Sequence, residues 1–236
     1  MWRNLLVTNL EFCRFLNGLR AAGVRNVIGG AQLLCNESMP HERGGRIHFD
    51  RVAPRYYVSP GYEHHPVYWV TWIGAICFAR YAGARLPTKS EMGALASRVR
   101  VDLKAINADY RIGDVLPVAE ENPPADGIHH AVGNVQVWCA DGPTATDLPV
   151  GPATRFMHGA AWNTPATVEE VRNPKARHLT GSSRGVGIRL VRDVEADLTA
   201  ESTAALAASV RKGFAILRQR QWSLRELENA FVAALS

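Results

Sequence analysis

No stretch of this chain approaches the ~18 consecutive apolar residues that a membrane-crossing helix needs. The opening MWRNLLVTNLEF has neither a long apolar run nor a cleavage-site pattern. Together these absences predict a cytoplasmic protein with no membrane partner. Cysteine is sparse: Cys13, Cys35, Cys77 and Cys139 are widely spaced and form no C-x-x-C pair. That excludes the usual zinc frameworks, and a chain this long does not need disulfides. Clustered positive charge is missing as well. Lys+Arg 27 against Asp+Glu 22 gives only +5, and the arginines stay scattered until the C-terminal tail. Nucleic acid is therefore not the expected partner. There is no internal repeat and no low-complexity tract.

What is present is an ordinary globular composition, 47% hydrophobic and 21% charged, over 236 residues. That length suits one compact domain with an appendage. Thr8-Asn-Leu-Glu11 is a capping box, with Phe12, Phe15, Leu16 and Leu19 on one face behind it and Gly23 placed to close the helix. A second helix is predicted from Thr71 to Gly83. A third follows Thr88-Lys-Ser-Glu91, with Met92, Leu95, Ala96 and Val99 as its stripe. Arg55 to Val58 reads as a short strand and Gly187 to Val191 as a terminal buried one. Residues 107–152 are rich in turn formers, and loops that long inside a compact domain are usually functional or held by ions. After Asp193, Leu206, Val210, Phe214 and Leu217 line one helix. Ser223-Leu-Arg-Glu226 caps another, lined by Leu224, Leu227, Phe231 and Leu235, so residues 195–236 are predicted to form a helical hairpin.

Three separated blocks belong together: HPVYWVTWIGAICFARYAGARLPTKSE (His65 to Glu91), GNVQVWCAD (Gly133 to Asp141) and HGAAWN…GVGIRLVRD (His158 to Asp193). Their order and spacing resemble the formylglycine-generating enzymes, or sulfatase-modifying factors. The resemblance covers residues 1–194 and implies an α+β fold related to C-type lectins, with much irregular structure. It makes Arg85-Leu86-Pro87-Thr88 and Glu91 structural and His65 a hydrogen-bonded structural histidine. It also implies a structural calcium at the Gly133-Asn134-Val135 loop, with Asn134 as a ligand. Against that, Val137 stands where the family usually has a glutamate. His129-His130-Ala131 replaces the usual Tyr-Asp-Met, and the two histidines, on an extended strand, would face opposite sides. Family members begin with a strand region before the Val-Thr-Asn helix, whereas this sequence starts close to Val7. The resemblance then implies a sheet edge for the tail, a protein partner or a second copy to cover.

The third block carries the main departure. In the resembled enzymes an R-G-G-S-aromatic motif precedes two cysteines that hold copper(I), for which soft thiolates are suited. Here the motif is His158-Gly-Ala-Ala-Trp162, and the cysteine positions fall near Thr164 and Glu169. Formylglycine formation by that mechanism is excluded. His158 and Glu169 are the candidate catalytic pair, for acid–base work or for holding iron or copper. His178 and Asp193 are further polar groups of the same block. Trp138, Trp162, Asn163 and Arg177 are the candidate substrate contacts, joined by Arg172 and Arg184. Two readings stay open. One is a repurposed oxidoreductase acting on a peptide or small metabolite in a biosynthetic pathway. The other is a non-catalytic module recognising a peptide or another enzyme through the lectin-like groove, with the tail available for a partner or homodimer.

Overall fold

The structure, a computed structural model, describes residues 1–28, 31–37, 45–98, 102–119, 127–143, 154–193 and 200–218. Helix α1 (Asn9–Ala21) starts at the predicted box: Thr8 Oγ1 accepts from Glu11 N (3.2 Å) while the Glu11 carboxylate accepts from Thr8 N (2.9 Å). Two otherwise orphaned N–H groups are satisfied reciprocally. Gly23 ends the helix at φ +85°, a conformation glycine takes without steric cost, and its N–H bonds the Arg20 carbonyl.

Two small antiparallel ladders follow, β1 (Val27–Ile28) with β2 (Ala31–Gln32) and β3 (Ile47–Asp50) with β4 (Arg55–Val58). The predicted strand at 55–58 is thus present, and α1 packs over it. Asn17 on α1 fixes the register by bonding both the N–H and the carbonyl of Tyr56 (2.8 and 3.0 Å).

Helix α2 (Trp72–Tyr81) is capped by Thr71, whose hydroxyl accepts from Gly74 N (3.0 Å). Helix α3 (Lys89–Arg98) repeats the reciprocal Thr88–Glu91 cap. Arg85 forks onto both Glu91 (2.7 and 2.8 Å) and Asp193 (2.6 and 2.8 Å), so the Arg-Leu-Pro-Thr block ties the start of α3 to the end of the family-like region. Hydrogen bonding from Arg85 pulls the Glu91 carboxyl down to about 2. These residues are structural, as expected.

The main sheet has the order β7-β6-β5-β8, built from β5 (Gln136–Trp138), β6 (Thr154–His158), β7 (Lys175–His178) and β8 (Val186–Gly187). Strands β5 and β8 run parallel and the other pairs antiparallel. A short helix, α4 (Val168–Arg172), joins β6 to β7. Helix α5 (Thr203–Arg218) packs on α1 and α2, with Leu206, Ala207 and Val210 completely buried in the same core as Phe12, Phe15 and Phe78. The fold is α+β, and much of it is irregular.

Two local expectations change. The terminal strand is regular only at Val186–Gly187. Residues 188–191 are buried but borrow isolated bonds from Val7, Arg3 and Arg85, and these scattered partners do not build a continuous ladder. His129 and His130 lie in a turn and not on a strand, with His130 at φ +46°. The predicted second tail helix and its cap at Ser223 lie outside the described residues, as does Val99.

Candidate functional site

The Gly133-Asn134-Val135 loop is where distant segments meet. Gly133 sits at φ +87°, and a Cβ there would stand 2.9 Å from Ile106 Cβ, so the turn requires glycine. Asn134 is completely buried, also in the left-handed region. Its side-chain oxygen accepts from Asn107 Nδ2 (3.0 Å) and Leu116 N (2.8 Å), and its amide nitrogen donates to the Leu116 carbonyl (3.0 Å). Its backbone receives Trp162 N (2.9 Å) and donates to the Asn107 carbonyl (2.8 Å). Asn134 is therefore the staple that gathers residues 107, 116 and 162. A calcium on its oxygen would have to displace two N–H donors already aimed there, so this donor set does not fit a cation at Asn134.

The turn that follows β6 is closed by Thr164, near which the resemblance puts the first cysteine position. Thr164 Oγ1 accepts from Ala161 N (2.9 Å) and donates to the Ala161 carbonyl (3.1 Å). Onto this turn docks the 107–112 loop. Asp109 N bonds the Thr164 carbonyl and Tyr110 N the Trp162 carbonyl, both at 2.7 Å. Those bonds hold Asp109 and Tyr110 at φ +58° and +56°, where non-glycine residues are uncommon. The result is a projecting ring. Tyr110 is 58% exposed and meets Trp162 edge-on, centroids 5.5 Å apart at 82°. Ile112 beside it is 56% exposed. Trp162 is itself buried, its indole N–H donates to the Arg184 carbonyl (3.2 Å), and the Arg184 guanidinium lies 5.8 Å from its ring centre.

The predicted site residues do not all share this face. Asn163 does, half-buried on the same turn with its side-chain oxygen buried and unbonded. Trp138 is fully buried in the main core, its indole N–H on the Val70 carbonyl (3.0 Å), which leaves no surface for a ligand. Arg177 is half-buried on β7 and donates to the Ser182 carbonyl (3.2 Å). Glu169 lies on the exposed side of α4. The neighbouring Glu170 is the carboxylate that points inward, held by Lys175 Nζ (2.5 and 2.6 Å) and Gln136 Nε2 (3.2 Å). Thr167-x-x-Glu170 was a readable helix-start signal for that segment. His178 bonds Thr180 (2.7 Å), and Asp193 is engaged by Arg85.

His158 is 1% exposed at the end of β6, bonded to the Arg172 carbonyl, with Nδ1 unpartnered. Burial pushes its pKa below the usual histidine range, and the Arg172 bond draws it partly back. The unfolded chain takes up the proton near pH ~6.5 while the folded chain resists it. Stability from a neutral His158 is thus fully present above that pH and is lost as pH falls through the lower folded value. His65 has the same sign: burial leads, Asp114 opposes it and Arg46 adds to it. Stability measured by urea unfolding is expected to fall as pH drops below about 6.5. A His158→Gln variant should show a shallower slope there, and an unchanged slope would remove the assignment.

No thiolate stands near this turn. All four cysteines are buried, and desolvation raises each thiol, Cys13 to about 11 and Cys77 to about 12, with Cys35 and Cys139 higher still. Among the described residues no three His, Cys, Asp or Glu side chains converge as a metal-ligand group. The described donor set at this turn does not fit a resident copper or iron ion.

The family described as sulfatase-modifying factor enzyme 1-like domain matches residues 3–194. The chain belongs to this family. A formylglycine-generating enzyme of Streptomyces coelicolor is 29% identical over 181 residues, 61% of this chain and 57% of that protein. A serine/threonine-protein kinase Pkn1 of Chlamydia trachomatis is also 29% identical, over 176 residues that make up 66% of this chain but 27% of the kinase. The chain thus spans about a quarter to just over half the length of these relatives. Among solved structures, CarF superposes with a TM-score of 0.59 at 17% identity, covering 82% of this chain and 86% of CarF. That likeness speaks for the sulfatase-modifying-factor fold alone.

Proposed function

We propose that this chain is a recognition domain of the sulfatase-modifying-factor family. It binds a peptide or small metabolite across the Tyr110–Trp162 face and does not generate formylglycine. The observation that carries this reading is the turn at 161–164: a threonine near the expected cysteine position spends its hydroxyl closing the turn, and the loop docked on it projects an exposed tyrosine and isoleucine. Rigid aromatic groups beside an arginine are the residue types that anchor such contacts. The Pkn1 match supports the same reading, because there the matched stretch is a minor part of a protein named for another activity. The proposed setting is the cytoplasm, with a protein partner or second copy as a further proposal for the tail.

The test is selection of a random peptide display library on the immobilised protein, with Tyr110→Asn as the comparison. Asparagine tolerates the left-handed backbone, so the variant removes the ring and keeps the loop. The wild type should enrich a consistent set of peptides, and the variant should bind them about tenfold or more weakly. Equal binding by both proteins would contradict the reading.

An oxidoreductase in a biosynthetic pathway, with His158 and Glu169 as its acid–base groups, is the second reading. It draws on His158 Nδ1 and Asn163 Oδ1, two buried polar atoms of one block left without hydrogen bonds. Such groups in a folded protein ask for a partner.

A further inference from the structure

On surfaces that share no residue with the Tyr110–Trp162 face, the first residues of the chain, α1 and the end of α2 enclose a groove of about 600 Å³. That falls within the ~300–1,000 Å³ typical of small-molecule sites. Trp2, Phe78, Tyr81 and Leu190 supply its apolar walls. The aromatic part is braced from behind: Phe15 packs against Phe78 at 5.5 Å and against Tyr81 at 5.4 Å. Tyr81 keeps its hydroxyl free of any partner among the described residues.

Among the described residues, charge on the rim is one-sided. Glu11 is the one carboxylate among the described lining residues, and it is already engaged by Arg3 (2.5 Å) and by both the N–H and hydroxyl of Thr8. It therefore does little to neutralise the other two guanidinium groups. Arg14 is exposed on α1 and has no ion-pair partner among the described residues. Arg192 is exposed on the facing segment, where it spends one nitrogen on the Ala82 carbonyl (3.0 Å) and none on a carboxylate among the described residues. Two guanidinium groups with no ion-pair partner among the described residues, over an aromatic floor, call for a ligand with an anionic head and a flat apolar body. The head replaces the missing carboxylates, and the body stacks on the rings.

We propose that this groove binds a small organic anion of the aryl carboxylate class. Arg14 and Arg192 grip the carboxylate, and Trp2 and Tyr81 hold the ring system. The volume limits the ligand to one or two fused rings with short substituents, and the unbalanced charge selects against neutral and cationic analogues.

The test titrates the full chain with 1-naphthoate and, separately, with neutral 1-naphthamide. Binding is followed by calorimetry and by the NMR signal of the Trp2 indole N–H. Naphthoate is expected to saturate and to shift the Trp2 signal, with the amide about tenfold weaker, the loss that one charge-assisted contact implies. The double variant Arg14→Gln/Arg192→Gln changes only exposed side chains and should bind naphthoate at least as poorly as the wild type binds the amide. Tyr110→Asn should leave naphthoate binding unchanged, which separates this site from the recognition face. Equal affinity for the acid and the amide, an unaffected double variant, or a Trp2 signal that does not move would each overturn the proposal. Selective retention of acidic peptides in place of naphthoate would do the same, because it points to a macromolecular occupant.

Discussion

Replacing Arg189 with methionine is expected to destabilise the protein by about 3–5 kcal/mol, the cost associated with breaking a buried charged network. Arg189 has no exposed surface. Its guanidinium donates to the carbonyls of Arg3 (3.1 Å), Asn4 (3.2 Å), His129 (2.6 Å) and His130 (2.9 Å). One side chain thus clamps the opening segment, the 129–130 turn and the terminal segment together. Methionine keeps the apolar stem but removes the donor from the Arg3, His129 and His130 carbonyls, while the Asn4 carbonyl keeps the His129 N–H (3.0 Å); each acceptor left unsatisfied away from water costs about 1–3 kcal/mol before relaxation. Lysine should recover only part of the loss, since one ammonium does not reproduce a planar fork. Equilibrium urea unfolding at pH 7 measures both. A methionine variant within about 1 kcal/mol of the wild type would mean the clamp is dispensable.

The second large effect concerns Gly74, where two physical arguments oppose each other. Helix propensity alone favours Gly74→Ala by about 1 kcal/mol. Packing says otherwise: a Cβ at position 74 would lie 2.1 Å from the Leu34 carbonyl oxygen and 2.8 Å from its carbon. That backbone has little room to retreat. Leu34 N is held by Asn26 Oδ1 (2.7 Å), and the Leu34 carbonyl already receives Thr71 N (3.1 Å) and Thr71 Oγ1 (3.2 Å). The clash should win, with a net loss of about 3 kcal/mol, the upper end of overpacking costs. For a chain of this size that lowers the melting temperature by about 6–12 °C. Calorimetry of Gly74→Ala decides the sign, and a melting temperature at or above that of the wild type would show that α2 shifts freely on the 26–35 segment.

Both positions mark where reading the sequence stops. The caps at Thr8, Thr71 and Thr88 are local: a hydroxyl and an N–H three residues on specify the helix start with no help from elsewhere. They were legible for that reason. The strand at 55–58 was legible too, but its partner at 47–50 was not, because pairing is decided by what α1 leaves uncovered. The same limit explains the carboxylates of α4. Glu169 and Glu170 are adjacent, and only the helix phase, set by burying Val171, turns Glu170 inward. Arg189 stands among apolar neighbours in the sequence, with nothing there to name the four carbonyls that satisfy it.

The candidate site divides along the same line. Trp162 and Asn163 were readable because the motif around them is contiguous. Asn134 was readable as a special residue, but its role as a hydrogen-bond staple depends on Asn107 and Leu116, brought in from a turn-rich stretch with no periodicity. Tyr110 carried no signal at all. Its exposure follows from two backbone bonds to the 161–164 turn, and those exist only once the fold has formed.

The most direct test of the central claim, a sulfatase-modifying-factor fold without that family's cysteine chemistry, is mass spectrometry of a cysteine-containing sulfatase-type peptide. The peptide is incubated with the protein, copper(I), a reductant and oxygen. Four buried thiols with raised pKa and a threonine, near the expected cysteine position, whose hydroxyl is spent on the Ala161 backbone predict that the peptide returns with its thiol intact. Catalytic accumulation of the aldehyde product would contradict the account and show that a copper site forms from residues other than those assigned here.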